Sequence, residues 1–245
     1  MRKTITALLI CLATPVQAAC DDPPAPKVNW SRCSLQGVDL SGVDLTEAIL
    51  TRANLQGADF SKARLNNADL NFANLQEANF THASLKKARL VGVDAIAADF
   101  SYARLNEARL SRAKFQQANF SHARLIKANL YEANFTGANL SSAELSEANF
   151  ERAKLYGARL DGATSEKASF ESADLETATF IKAELKKANF DKANLVDTNF
   201  TAAILDKASL REAVIDGAIF ENASLSDANW VQYQRCRSGS IGQCR

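Results

Sequence analysis

The strongest constraint on this chain is a period of five residues that runs through most of its length. In the stretch 116–135, Ala returns at every fifth position, and Leu or Phe follows two residues after each Ala. An α-helix repeats about every 3.6 residues and a β-strand about every 2, so neither element produces this pattern. The sequence therefore predicts a chain that turns a corner once in every five residues.

The repeat keeps one phase over its whole length. With the large residue taken as the centre of each unit, centres fall on every multiple of five from Leu35 to Trp230, and 24 of the 40 centres are Leu and 12 are Phe. The four exceptions are Ala95, Ser165, Ile215 and Trp230. Two residues before the centre, 35 of the 40 positions are Ala. Each unit thus has one small and one large inward position, separated by mostly polar residues.

Four such units close a square coil of 20 residues, and coils stacked at the strand spacing of about 4.8 Å pair their backbones. The expected fold is an all-β solenoid of about ten coils, roughly 48 Å long at that spacing. The units ADFSK (58–62), ANLYE (128–132) and ANFTG (133–137) resemble those of the pentapeptide repeat family. The resemblance covers residues 33–230 and implies a right-handed quadrilateral β-helix with capped ends. It implies little about activity, because function lies on surfaces that differ between members.

The segment 1–19 is typical of a secretory signal peptide. Arg2 and Lys3 precede an apolar run over 5–13, and small residues lead to a cleavage site near Ala18 or Ala19. This predicts a periplasmic or secreted protein. The alternative is a lipoprotein anchored through Cys20, although Gln17 stands where such signals usually carry an aliphatic residue.

Both ends of the repeat need closing. Residues 20–32 are interpreted as a Pro-rich leader and N-terminal cap, and residues 231–245 as a C-terminal cap. Trp30 is a candidate to close the first coil, and Trp230 and Tyr233 are candidates for the lid at the other end. A disulfide needs Cα atoms within about 7 Å. Cleavage of the signal peptide removes Cys11 and leaves four cysteines, two at each end of the rod. We therefore expect the pairs Cys20–Cys33 and Cys236–Cys244.

Charge is unevenly distributed along the rod. Residues 62–127 contain 11 Lys/Arg and five Asp/Glu, whereas residues 128–230 contain 10 Lys/Arg and 17 Asp/Glu. Nine of the 11 basic residues fall on two adjacent faces, where only Asp69 and Glu107 are expected to oppose them; the nine are Arg64, Lys86, Lys87, Arg89, Arg104, Arg109, Arg112, Arg124 and Lys127. This predicts a docking patch for an anionic lipid, a glycan or an acidic protein. The alternative is a solvated surface without a partner.

Two smaller features stand out on the faces. His82, Tyr102 and His122 follow one another at equivalent positions of successive coils, and the two histidines should lie about 9–10 Å apart, too far to share a metal. We interpret them as a solvated row. Near Ala95, Val91 and Ile96 occupy outward positions, which indicates local repacking or a small apolar contact.

No set of residues suited to catalysis, metal binding or cofactor binding appears in the sequence. The sequence therefore favours a non-catalytic scaffold or binding protein of the cell envelope, with an unknown envelope protein, glycan or anionic lipid as partner. Family resemblance also implies an alternative, a DNA mimic that binds gyrase. The formal net charge of +1 and the export signal argue against that alternative and against a nucleic-acid partner. An end-to-end homodimer is left open.

Overall fold

The computed structural model describes residues 20–245, and the predicted signal peptide lies outside the described residues. Within 20–245 there is no helix and no extended strand; each unit consists of a β-turn followed by one isolated bridge residue. Parallel bridges link each such residue to its equivalent four units later, from Asn29–Ile49 to Ser209–Asn229. One coil therefore consists of four units and contains four turns, as the sequence predicted.

The bridge residues define four sides of the solenoid. Side 1 runs from Asn29 to Asn229, side 2 from Ser34 to Val214, side 3 from Asp39 to Ile219 and side 4 from Asp44 to Ser224, and each side gains one bridge residue per coil. Each pair of neighbouring sides meets at a corner formed by the turn residues between them. Side chains at equivalent positions of successive coils therefore stack along the rod.

Each corner is a β-turn with a left-handed residue. The carbonyl of Leu50 accepts a hydrogen bond from the Ala53 N–H at 3.1 Å, and Arg52 between them has φ 59°. A positive φ at this place is the mark of a type II turn, and it costs a residue other than Gly about 1–2 kcal/mol. The corner N–H partly offsets this cost by bonding to the next coil, as from Arg52 to the Asn71 carbonyl at 2.9 Å.

The Asn or Asp before so many centres has a structural role. The N–H after the centre points outward, and the side-chain oxygen two residues earlier accepts it, as Asp39 does from Ser41 at 2.9 Å. Arg89 stands at this position before its centre and has no side-chain oxygen to accept the Val91 N–H. The Asn71 side chain, one coil away, accepts that N–H at 2.9 Å instead. The position before the centre is thereby released for a basic residue.

Leu, Phe and Ala fill the interior along the whole rod. On side 3 the rings of Phe60, Phe80, Phe100 and Phe120 are fully buried and stack with centroids 4.7, 4.6 and 4.7 Å apart. These separations match the coil spacing. The small centre Ala95 is fully buried, and the Phe115 ring at the equivalent position of the next coil lies edge-on to Phe100 at 5.7 Å.

The regular coil begins one unit earlier than residue 33. Asn29 already forms the first bridge of side 1, and Trp30, only 3% exposed, occupies the centre of that unit. The Trp30 indole donates to the Asp22 carbonyl at 3.2 Å, so the leader is tied to the first coil. Cys20 and Cys33 form the expected disulfide, with Cα atoms 5.5 Å apart.

The C-terminal cap covers only part of the last coil. Arg235 and Ile241 form antiparallel bridges to Asn229 and Ser224, and the disulfide Cys236–Cys244, with Cα atoms 4.8 Å apart, closes a loop that contains Ile241. Trp230 packs against Phe220 at 5.1 Å. The prediction that Tyr233 belongs to the lid is wrong: it is 67% exposed, and its hydroxyl donates outside the core to Glu212.

Within residues 20–245, sides 2 and 3 end without such a bridge, at Val214 and Ile219. The inward residues of that coil, Ile215 and Ala218, are only partly buried.

Candidate functional site

The structure places the nine basic residues of the predicted patch on sides 4 and 1, which share a corner. Arg64, Arg104 and Arg124 are bridge residues of side 4, and Arg89 and Arg109 are bridge residues of side 1. The others occupy turns, with Lys86 beside side 4, Lys87 and Lys127 on the shared corner, and Arg112 on the following corner. The two sides thus form one continuous basic surface.

Most of these cations are already paired with acidic residues. Six of the nine form ion pairs one coil away, namely Arg64–Asp44, Lys87–Glu107, Arg89–Asp69, Arg112–Glu132, Arg124–Glu144 and Lys127–Glu147. The prediction that only Asp69 and Glu107 oppose the patch is therefore wrong. The additional acids belong to coils that lie before residue 62 or after residue 127.

In two of these pairs the pKa of the acidic residue is lowered, which keeps that residue charged. The hydrogen bond from Arg112, Nε to Oε2 at 2.9 Å, lowers the pKa of Glu132. The Thr46 hydroxyl and backbone N–H, together with Arg64, lower the pKa of Asp44. Exposed pairs of this kind add little stability, but they neutralise the cation as seen by an approaching ligand.

Three cations of the patch have no ion pair within residues 20–245: Lys86, Arg104 and Arg109. Arg104 and Arg109 are exposed, whereas Lys86 is half-buried. These three residues are the part of the basic surface that keeps unneutralised positive charge.

Arg109 opens onto a groove where sides 4 and 1 meet. The groove has a volume of about 490 Å³ and is lined by Asn67, Lys87, Arg89, Glu107 and Arg109. Two of its cations are held loosely, with Lys87–Glu107 at 3.6 Å and Arg89–Asp69 at 3.7 Å. An anionic group that enters can therefore bind Arg109 directly and compete for its neighbours.

The row formed by His82, Tyr102 and His122 is a stack of rings. The His82 and Tyr102 rings stack with centroids 4.9 Å apart, and Tyr102 and His122 with centroids 4.7 Å apart. The interplanar angles are 18° and 9°. These residues occupy the corner between sides 3 and 4. In the sequence, their stacking was indicated only by three flat side chains at equivalent positions of successive coils.

An apolar feature lies at the corner between sides 1 and 2. Phe72 is 56% exposed and its ring lies against Gly92, where an added Cβ would be 2.8 Å from two ring carbons, while Arg52 stands 5.8 Å from the ring centroid. Val91, which is half-buried, lies at this corner, whereas Ile96, also half-buried, lies at the next corner, between sides 2 and 3. The patch is small and local, as expected for repacking around Ala95.

A second groove near the C-terminus, of about 290 Å³, is lined by Glu171, Asn189, Asp191, Lys192, Arg211, Glu212 and Tyr233. Its carboxylates already bind neighbouring groups, above all Asp191 to Arg211. No cluster of three potential metal ligands occurs among residues 20–245. No helix that could cross a membrane is found in the same range.

Comparison with known proteins agrees with this geometry. The pentapeptide repeats family matches in eight copies, over residues 29–67, 63–101, 96–130, 128–164, 166–195 and 193–229. The chain belongs to the pentapeptide repeat family. Members fold as right-handed quadrilateral β-helices and generally serve as non-enzymatic scaffolds or binders. The match begins at residue 29, in agreement with the first bridge.

Several solved pentapeptide repeat proteins are similar to this one. HetL, involved in heterocyst differentiation regulation in the cyanobacterium Nostoc sp. strain PCC 7120, is 31% identical over 86% of this chain and 92% of its own, with a TM-score of 0.45. QnrB1, a plasmid-mediated fluoroquinolone resistance protein, is 18% identical over 78% of this chain and 91% of its own, with a TM-score of 0.49. No curated protein matches the chain.

Proposed function

We propose that this pentapeptide repeat protein is a non-catalytic binding rod of about ten coils that works in the bacterial periplasm or cell envelope. It docks an anionic partner on the surface formed by sides 4 and 1. The observation that carries the proposal is that Lys86, Arg104 and Arg109 share this surface and have no ion pair within residues 20–245.

A smooth rod offers its partner extended faces rather than deep pockets. Free cations on such a face attract an anion through long-range charge and then bind it through their N–H groups. The groove beside Arg109 adds a concave place for one anionic group. Because the surrounding cations are already neutralised by acids one coil away, binding should depend on a few residues and not on the total charge.

The test is binding of the purified mature protein to lipopolysaccharide and to vesicles of anionic phospholipid, at low and high salt. We expect binding that weakens as ionic strength rises. The double variant Arg104→Glu/Arg109→Glu should lose it. The matched control is Lys154→Glu/Lys182→Glu, which reverses two exposed cations of the acidic half that also lack ion pairs within residues 20–245. Equal loss in both variants would mean that only net charge matters, and would refute a defined docking surface.

The location of the protein is part of the proposal. Intact mass of the protein from fractionated cells should correspond to cleavage near Ala18 or Ala19, with two disulfides formed. A lipid-modified Cys20 would instead indicate an anchored lipoprotein and leave Cys33 without its partner. A full-length reduced chain in the cytosol would contradict the envelope role and favour a gyrase-directed role instead.

A further inference from the structure

The stacked rings of His82, Tyr102 and His122 form a ridge along the corner between sides 3 and 4. With centroids 4.9 and 4.7 Å apart, the rings cover one another's faces. What they present to a ligand is therefore their edges, which carry the imidazole nitrogens and the phenol hydroxyl. Tyr102 is 48% exposed and both histidines are exposed.

The groups around this ridge are mostly occupied or neutral. On side 4, Arg64 and Arg124 are paired with Asp44 and Glu144, Ser84 is neutral, and Arg104, two residues from Tyr102, has no ion pair within residues 20–245. On side 3, Asp59 accepts from Asn79, and Asp99 accepts from the Ser101 N–H and from Asn119. Along the corner itself, Lys62 precedes the ridge and Ser142 follows it.

Histidine is the side chain whose charge changes near neutral pH. Protonation of both rings adds two positive charges and two N–H donors on either side of Tyr102. In mild acid the corner carries Lys62, His82 and His122 as cations along the rod axis, with Arg104 beside them on side 4.

We propose that this ridge binds the carboxylates of a linear acidic glycan, and that it does so more tightly as the pH falls from 7.5 to 5.5. The proposal rests on the proposed function, because Arg104 belongs to both surfaces. The row is one side chain wide and follows the axis, which fits a linear chain. The amides of Asn79, Asn119 and Asn139 each use one N–H along side 3, which leaves the second N–H of each to bond a sugar hydroxyl.

An anionic membrane fits this ridge less well. Among residues 20–245, Tyr102 is the only large apolar side chain exposed at this corner, whereas Phe72 lies at the diagonally opposite corner. A membrane-binding ridge would be expected to carry apolar side chains that enter the interface. The polar surroundings therefore favour the glycan.

The test uses polygalacturonate, a linear polymer of uronic acid whose carboxylates remain ionised at pH 5.5. Affinity for the mature protein should rise about tenfold between pH 7.5 and 5.5, the order of magnitude that two added exposed ion pairs supply. Because His82 and His122 are the only two histidines of the chain, the variant His82→Gln/His122→Gln should lose this rise and keep its affinity at pH 7.5. Gln is compatible with the turn, since Gln117 occupies an equivalent corner with φ 58°.

The outcomes separate this inference from the proposed function. A rise that persists in the double histidine variant would overturn the role of the ridge. Salt-sensitive binding at pH 7.5 without any rise in acid would overturn the inference and leave the docking surface intact. A rise seen with anionic phospholipid vesicles, but not with polygalacturonate, would show that the ligand is a membrane. Binding to neutral dextran equal to that of polygalacturonate would exclude carboxylate recognition.

Discussion

The Asp191 carboxylate joins two successive coils, and its replacement measures how much one such contact stabilises the fold. Asp191 is only 8% exposed, and it accepts the Arg211 backbone N–H at 3.0 Å, the Arg211 Nε at 2.9 Å and the Ser209 hydroxyl. Asp191→Asn keeps an acceptor oxygen for the N–H and the hydroxyl but removes the charge that faces the guanidinium. A hydrogen bond to a charged group contributes about 1.5–3 kcal/mol and a neutral one about 0.5–1.5. We therefore expect Asp191→Asn to lower the free energy of unfolding by about 1–2 kcal/mol.

The assay is urea unfolding at pH 7, with Asp206→Asn as the matched control. Asp206 occupies the equivalent position on side 4, where it accepts the Ser224 hydroxyl and the Ser226 N–H at 3.3 Å without an arginine. It should lose about 1 kcal/mol less than Asp191→Asn, because both variants lose the charge that strengthens the bonds from the hydroxyl and the N–H, but only Asp191→Asn also loses a guanidinium partner. Equal losses at the two positions would refute the reasoning that the charge matters.

The same pair predicts a dependence on pH. Burial acts to raise the pKa of Asp191, but the hydrogen bonds from Arg211 and Ser209 outweigh it, so the folded-state pKa is lowered. The stabilisation is thus present above the unfolded-state pKa of about 3.9 and is lost as the pH falls through the folded-state value. The difference between the parent and Asp191→Asn should shrink in acid, and a difference that grew below pH 4 would contradict this sign.

Two further predictions concern the packing. A Cβ at Gly92 would lie 2.8 Å from the Phe72 ring, whereas Gly57, with the same φ of 64°, has nothing within 4 Å; Gly92→Ala should therefore destabilise the protein by about 1 kcal/mol more than Gly57→Ala in urea unfolding, and equal effects would mean that the ring moves aside freely. The buried Ser165 hydroxyl has no hydrogen-bond partner in the described chain; Ser165→Ala should raise the unfolding free energy by about 1 kcal/mol, and a lower midpoint would mean that a partner such as water satisfies the hydroxyl.

The family, the four-unit coil and the identity of the core could be read from the sequence, because all three follow from the inward positions. Ala and Leu or Phe at constant spacing leave one arrangement that buries every large residue. The same reasoning located the cysteine pairs at the two ends. It placed the first coil too late because Val28 and Trp30 replace Ala and Leu in an otherwise regular unit.

Surface pairing was harder to predict. A count of charges over residues 62–127 excluded Asp44 and Glu144, which lie outside that window yet contact Arg64 and Arg124 from adjacent coils. The repeat does not specify side-chain orientation. It therefore could not predict that His82 stacks on Tyr102 or that the Phe72 ring contacts Gly92. Tyr233 was assigned to the lid from its position alone, but the cap follows the cysteine loop instead.

The register of the coils nevertheless explains which cations stay free. All six paired basic residues of the surface have an acidic residue at the equivalent position of the coil before or after them. The three free ones do not: Arg104 lies between Ser84 and Arg124, Arg109 between Arg89 and Asn129, and Lys86 between Asn66 and Asn106. In a solenoid whose nearest neighbours are fixed by the length of the coil, the charge available to a partner is set by each column and not by the net charge of a segment. A near-neutral rod can therefore carry a defined anion-docking surface.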